Sequence, residues 1–147
     1  MPKQQNFSNH TRWFPLFHFV VMPLLLLNFL DHLVRIFTNV GYERYEQVGW
    51  TVLGLTLILL ALAARLMALT VQDRVIQLEE KLRYAGLLTP ELNTRCNSLT
   101  KGQIVALRFA SDDELAGLVE RTLNGEFPDT KSIKMAVKSW RADDLRA

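Results

Sequence analysis

The stretch that decides the fold is residues 47–85, which read QVGWTVLGLTLILLALAARLMALTVQDRVIQLEEKLRYA. Its first 18 residues carry no formal charge, and after Gly54 it contains neither glycine nor proline. A helix over these 39 residues would be roughly 58 Å long at about 1.5 Å per residue. The hydrocarbon core of a bilayer is only about 30 Å thick. The pattern therefore predicts a helix that crosses a membrane and continues beyond it as a stalk.

A second uncharged run extends from Trp13 to Leu30 and is also 18 residues long. The whole chain of 147 residues averages 22% charged and 49% hydrophobic, yet these two runs exclude a soluble enzyme that fills every position. No small-x-small cleavage pattern follows Leu30, so we interpret the first run as a retained anchor and not as a signal peptide. We predict a tail at residues 1–13, a transmembrane hairpin at 14–69 with spans at about 14–37 and 45–69, and a helical module at 70–147.

The distribution of cations sets the expected orientation. The tail carries Lys3 and Arg12 without an acidic residue, and Arg65 and Arg74 follow the second uncharged run. The connector between the spans has one arginine beside two glutamates. Because cytoplasmic segments carry the excess of lysine and arginine, we expect both termini in the cytoplasm.

Span 1 carries a polar stripe, which we define as His18, Asn28, Asp31, His32 and Arg35. On a lipid-facing surface these side chains would cost several kcal/mol, so we expect them to face protein or water. Two interpretations are open. The stripe is either a partly hydrated patch that locks the hairpin, with Asp31 paired to Arg35, or an ion or proton pathway. His18 and His32 are roughly 21 Å apart on a helix, which excludes a shared metal ion.

A continuous non-polar line follows the long helix at alternating steps of three and four residues. This seam consists of Gly54, Leu57, Ala61, Ala64, Ala68, Val71, Val75, Leu78 and Leu82, and it ends at Ala85. Its small residues fall in the predicted span, where close backbone approach drives helix association. Its larger residues fall outside, where water adds a hydrophobic driving force. The seam packs either on span 1 and the chain's own later helices, or on a second copy in a short parallel coiled coil.

Residues 86–147 contain several helix caps. Thr89, Thr100 and Ser111 are predicted N-caps, the latter two in capping boxes, and Gly125 is a predicted helix stop. Strand-like alternation does not occur in this part of the sequence. About 60 residues is close to the lower limit for a domain that is stable alone. We therefore expect the short helices to fold back on the stalk.

The last predicted helix, at residues 129–141, is basic and amphipathic. Its cations fall on one face and are Lys131, Lys134, Lys138 and Arg141. They favour either contact with the headgroups of an anionic leaflet or a solvated face of a bundle helix with Trp140 in the bundle core.

Motifs for catalysis or for ligand binding do not occur. The sequence has no Gly-rich phosphate loop, no paired metal-ligand motif and no nucleophile elbow. Residues 70–147 have no net charge, unlike the basic stripe of a nucleic-acid binder. The lone Cys96 excludes an intrachain disulfide. We therefore expect no enzymatic activity, no cofactor or metal, and no nucleic acid. The expected partners are the lipid bilayer, a second copy of the chain, or an unidentified membrane or cytosolic protein.

Four segments together resemble a known family: PLFHF at residues 15–19, VQDRVIQLEE at 71–80, QIVALRFASDDEL at 103–115, and Ile133-Lys134 through Trp140-Arg141-Ala142-Asp143. The chain resembles a bacterial family of short two-span membrane proteins classed as a domain of unknown function, over nearly its whole length. The segment ALRFAS is the most specific part of the resemblance. It implies no activity. It implies a bacterial inner-membrane location and roles beyond the surface for Asp73, Arg74, Arg108, Trp140 and Arg141.

The sequence thus predicts an all-α integral membrane hairpin of two transmembrane helices, in which the long second helix extends into a small cytosolic bundle of short helices. The leading functional hypothesis is a non-enzymatic structural or interaction protein that presents these helices at the membrane surface. The alternative is a small oligomeric ion or proton pathway that uses the polar stripe of span 1.

Overall fold

The computed structural model describes residues 5–9 and 13–143 and is all-helical. Within these residues no β-strand forms, and the only extended pairing is an isolated antiparallel bridge between Ala110 and Trp140. The elements are a π-helical segment at Leu16–Val21, α1 at Met22–Thr38, α2 at Tyr42–Leu87, α3 at Pro90–Arg95, a 3-10 turn at Cys96–Ser98, α4 at Lys101–Leu107, α5 at Asp112–Leu123 and α6 at Thr130–Ala136.

The described residues form two compact units. One unit is Trp13–Leu69, and the other contains residues 5–9 and 70–143. Helix α2 contributes residues to both units and is one unbroken helix of 46 residues. The predicted continuity of residues 47–85 is therefore confirmed. The segments Leu16–Thr38 and Tyr42–Leu87 are both long and apolar enough to cross a membrane.

The unit Trp13–Leu69 is a helical hairpin. Its turn contains Gly41, which has φ +63°, a conformation that glycine adopts without strain. Further along, Gly54 lies against the other helix, because a Cβ atom at this position would be 3.4 Å from both Cα and Cβ of Phe29. This close approach gives the glycine at the start of the seam a packing role within the hairpin.

The second unit, which we call the module, has a hydrophobic core supplied by all its helices. The largest fully buried side chains are Tyr84, Phe109, Leu107, Leu115, Ile133 and Val119. Tyr84 and Leu88, at the end of α2 and just after it, belong to this core cluster. The short helices thus fold back on the last turns of α2, as the sequence predicts.

The predicted helix caps are confirmed. The Thr89 side chain accepts a hydrogen bond from the Leu92 amide at the start of α3. Thr100 and Ser111 form capping boxes with Gln103 and Glu114, respectively. These signals are local in sequence, and each satisfies amides that the first turn of a helix leaves without partners.

The last helix is shorter than predicted. Helix α6 ends at Ala136, so residues 137–141 of the predicted helix at 129–141 are not helical. Their amides bind elsewhere: those of Lys138 and Ser139 donate to the Glu114 carboxylate at 3.1 and 3.0 Å. The Arg141 amide donates to the Phe109 carbonyl at 2.8 Å. Because these partners lie far away in sequence, the periodicity of residues 129–141 could not reveal them.

Candidate functional site

A cluster of arginines and carboxylates lies where the end of α2 meets the rest of the module. Glu80 of α2 is at its centre and is only 3% exposed. Its Oε2 atom accepts a hydrogen bond from Arg83 at 3.1 Å, and its Oε1 atom accepts one from Arg141 at 3.2 Å. Burial raises the pKa of the Glu80 carboxyl above its usual range, against the opposing effect of the neighbouring arginine charges.

Arg83 links α2 to the start of α5. Its guanidinium donates to Oδ1 of Asp112 through Nε at 2.8 Å and through Nη2 at 2.5 Å. Nη2 also donates to the carbonyl of the buried Ala110 at 2.7 Å. Glu79 precedes Arg83 by four residues, a spacing that predicts a surface ion pair on a helix. Arg83 instead binds Asp112 and the Ala110 carbonyl. One side chain therefore binds three acceptors, Glu80 on its own helix and Ala110 and Asp112 at the start of α5.

Arg108, at the end of α4, occupies the second buried position of the cluster. Its side chain is 7% exposed, and its Nε donates to Oδ2 of Asp143 at 2.8 Å. Its Nη1 donates to the Val105 carbonyl at 2.7 Å. The guanidinium carbon lies 4.2 Å from the centre of the Phe109 ring, a cation–π distance. Arg108 thus holds Asp143 against the end of α4.

The cluster borders a cleft of about 310 Å³. The cleft is lined by Ile76, Glu79, Glu80, Arg108, Arg141, Ala142 and Asp143. Both lining arginines already bind carboxylates. Glu80 and Asp143 thus neutralise the two arginines, and the arrangement is that of a structural ion-pair network. Among the residues that the structure describes, no group of three histidine, cysteine or acidic side chains could hold a metal ion.

Tyr84 lies one turn after Glu80 on the same face of α2. Its hydroxyl oxygen is buried and forms no hydrogen bond with any described residue. Burial, and then the charge of Glu80, raise the pKa of the phenol far above its usual value. The side chain therefore stays neutral and acts as a core residue.

The structure does not bring the polar stripe together into one chain of groups. Asp31 accepts a hydrogen bond from Arg35 at 2.8 Å, and both side chains are more than half exposed. His32 Nδ1 lies 2.7 Å from Oε1 of Gln47, and its ring stacks on Trp50 at 5.8 Å.

The other two members of the stripe have separate local surroundings. His18 Nδ1 lies 2.9 Å from the Phe14 carbonyl oxygen, one turn earlier. Asn28 Oδ1 lies 3.7 Å from the position of a Cβ atom on Gly54. The contacts of His32 and Asn28 with the second helix favour the interpretation of the stripe as a lock, whereas His18 and the Asp31–Arg35 pair make their contacts within the first helical segment.

The part of the seam that lies in the module is uncovered. Val71, Val75, Leu78 and Leu82 are 59%, 48%, 61% and 69% exposed. The interpretation that the chain's own later helices cover this part of the seam is therefore wrong. In the hairpin unit Gly54 is buried and Ala61 is half-buried, whereas Leu57, Ala64 and Ala68 are exposed. The module packs instead on the face of α2 that carries Ile76, Glu80 and Tyr84.

The four candidate headgroup contacts do not share one helical face, because α6 ends before two of them. Lys131 and Lys138 are exposed. Lys134 is half-buried, with its ammonium 5.8 Å from the centre of the Phe109 ring. Arg141 binds Glu80. Trp140 packs against the core, with its ring centre 4.9 Å from that of Phe109.

Sequence reasoning missed Glu80, Tyr84 and Asp143 as members of the site. One signal could have found Glu80: it follows Ile76 and precedes Tyr84 by four residues, so a carboxylate interrupts an otherwise apolar helical face. A charge at such a position indicates a buried ion pair. Two of the positions that the family resemblance implies, Arg108 and Arg141, do belong to the cluster.

Of the three remaining positions that the resemblance implies, Trp140 packs against the core and the other two lie on α2. Asp73 pairs with Lys101 at 3.0 Å. Arg74 is exposed beside the seam.

Comparison with known proteins gives one match. The model of a family described as a family of unknown function, DUF6526, matches residues 1–147. No curated protein and no solved structure matches the chain.

Proposed function

The chain belongs to this family of unknown function, and we propose from its own residues that it is a non-enzymatic membrane protein. In this proposal the hairpin Trp13–Leu69 crosses the bacterial inner membrane twice. The module then presents its short helices at the cytoplasmic surface for structural or interaction purposes.

The observation that carries the proposal is the uncovered apolar surface of the hairpin. In the most apolar windows of its two long helices, 0% and 6% of the residues are buried. Leu27, Leu60 and Leu66 are each more than 60% exposed. The core helix of a soluble protein is mostly buried, and soluble monomers rarely expose contiguous apolar patches larger than a few hundred Å². A lipid bilayer is the solvent that this surface requires.

The segments that form the second unit support a topology in which the chain crosses the membrane an even number of times. Residues 5–9, which precede the hairpin, belong to the same compact unit as residues 70–143, which follow it. The Asp143 amide donates to Oε1 of Gln5 at 2.9 Å. Two segments in contact lie on the same side of a membrane. The cations on both sides of the hairpin favour the cytoplasmic side.

The module has the properties of a presented structural unit. Its core is closed, and its arginine–carboxylate cluster satisfies its own charges. A catalytic site would need a poised nucleophile, acid or base in reach of a substrate. In the described residues the cleft contains one carboxyl with a raised pKa, and two arginines already bind it.

Two measurements on full-length protein in bacterial cells test the proposal. We expect the protein to stay in the membrane fraction at alkaline pH. We also expect an impermeant maleimide to label Tyr42→Cys in intact spheroplasts, and Met135→Cys only after permeabilisation. Both positions are exposed, at 83% and 59%, whereas the native Cys96 is buried and serves as the unlabelled background. Release at alkaline pH, or labelling of both variants from the same side, would contradict it.

A further inference from the structure

We propose that two copies of the chain associate in parallel through the seam between Val71 and Ala85. The occupant of this exposed face is a second copy of the same helix. The inference goes beyond the proposed function, because a membrane-anchored module could equally be monomeric. It rests on the face that the module leaves open and on the charges that border that face.

The open face is apolar and continuous. Val71, Val75, Leu78 and Leu82 are between 48% and 69% exposed. They alternate at steps of four and three residues, which is the spacing of the a and d positions of a coiled coil. In this register Val75 and Leu82 are a positions, and Val71 and Leu78 are d positions.

The rest of the module occupies the opposite side of this part of α2. Glu80 lies about 160° around the helix from both Leu78 and Leu82. It is buried in the module, and Tyr84 is buried one turn later. Asp73, one heptad before Glu80, also binds the module through Lys101 at 3.0 Å. The chain thus covers the outer positions of the heptad and leaves its a and d positions open to a partner.

The charges beside the seam identify the partner as a parallel copy. Arg74 is at a g position and Glu79 at an e position, five residues later. In a parallel dimer the g side chain of one copy meets this e side chain of the other. Symmetry then gives two Arg74–Glu79 pairs. In an antiparallel dimer like positions meet, so Arg74 and Lys81 would lie beside the cations of the other copy.

Both residues are available for these pairs. Arg74 and Glu79 are exposed. Neither forms an ion pair with another of the residues that the structure describes. The neighbouring Asp73, Glu80 and Arg83 instead pair with residues of the module outside α2, which are Lys101, Arg141 and Asp112, respectively. Two heptads form a weak interface alone, and confinement of both copies to one membrane would raise their effective concentration.

Cysteine crosslinking of the full-length protein in native membranes tests the inference. We expect Val71→Cys and Leu82→Cys each to form a disulfide-linked dimer under mild oxidation. A parallel seam brings each residue next to its own copy, within the roughly 7 Å between Cα atoms that a disulfide allows. An antiparallel pair separates them. Leu87→Cys is the matched control, since it is 45% exposed but lies on the opposite side of α2 from Leu78.

Charge exchange provides a second readout. We expect Arg74→Glu and Glu79→Arg each to reduce the dimer fraction of Leu82→Cys several-fold. The double exchange should restore it, because the pairs re-form with reversed sign. Equal crosslinking of the Leu87→Cys control, crosslinks only to a protein of another mass, or no dimer from either seam variant would overturn the inference. Membrane fractionation of the same samples reports separately on the proposed function.

Discussion

Replacing Arg83 by methionine should destabilise the module while keeping most of the volume of the side chain. Arg83 is 10% exposed and binds Glu80, Asp112 and the Ala110 carbonyl. The link to Asp112 contributes little, because that carboxylate is 63% exposed. The other two partners are buried, so their loss determines the effect.

The magnitude follows from what the substitution leaves behind. The Ala110 carbonyl loses a donor, and unsatisfied buried groups cost about 1–3 kcal/mol. Among the residues that the structure describes, Arg141 at 3.2 Å is then the one ion-pair partner left to the Glu80 carboxylate. Removal of one partner from a buried ion pair typically costs about 3–5 kcal/mol. Because Glu80 can take up a proton, we expect the lower end, about 3 kcal/mol in the free energy of unfolding.

Hydrogen exchange of the full chain in detergent measures this quantity directly. A loss of about 3 kcal/mol lowers the protection of amides in α5 roughly 150-fold. The matched control is Arg121→Met, whose pair with Glu126 is about half exposed on both sides. We expect the control to change protection less than about fivefold. An Arg83→Met effect no larger than that of Arg121→Met would refute the assignment of Arg83 as the link between α2 and α5.

Three further predictions concern neighbouring groups and use thermal unfolding of the full chain in detergent. Tyr84→Phe should leave the melting temperature unchanged or raise it, because it removes a buried hydroxyl without a partner; a clear loss would show that the hydroxyl is bound. Glu114→Ala should destabilise by about 2–3 kcal/mol, since its carboxylate accepts from the Lys138 and Ser139 amides and caps α5, and an effect within error would exclude this role. The raised pKa of Glu80 means that the fold favours the protonated carboxyl, so its contribution is fully present below the unfolded pKa and is lost as pH rises through the folded pKa. The melting temperature of the wild type relative to Glu80→Gln should therefore rise from neutral pH toward about pH 5, and a difference that stays constant over this range would contradict the prediction.

Local signals in the sequence predicted the helices well. The capping boxes at Thr100 and Ser111 and the unbroken pattern of residues 47–85 involve contacts within a few residues, which a single sequence contains. The predicted end of α6 was wrong because the amides that follow it bind Glu114 and Phe109 instead of continuing the helix. A pairing across more than 20 residues leaves no periodic trace, so only the fold reveals it.

The site could be predicted only in part for the same reason. Helix α2 has two candidate packing faces, and periodicity favours the seam because every member is non-polar. The short helices of the module pack on the face with Glu80 instead. That choice depends on Arg141, which lies 61 residues away in the chain. A residue such as Glu80 can be recognised from sequence only if a charge within an apolar helical face is taken to indicate a buried ion pair.

The choice of the charged face has a physical consequence for the whole protein. An apolar face tolerates small shifts in helix register, whereas an ion pair fixes one arrangement, as buried polar residues do in coiled coils. Glu80 accepts from Arg83 on its own helix and from Arg141 near the end of the described chain, so both carboxylate oxygens are used. We interpret this cluster of ion pairs as the feature that fixes how the short helices pack on the end of α2. The seam contains no such feature of its own, and its specificity would have to come from Arg74 and Glu79 at its edge. Because the polar contacts that fix the packing of the short helices lie on one face of α2, the opposite hydrophobic face remains available for association. This division explains why the seam is exposed while the charged face is buried.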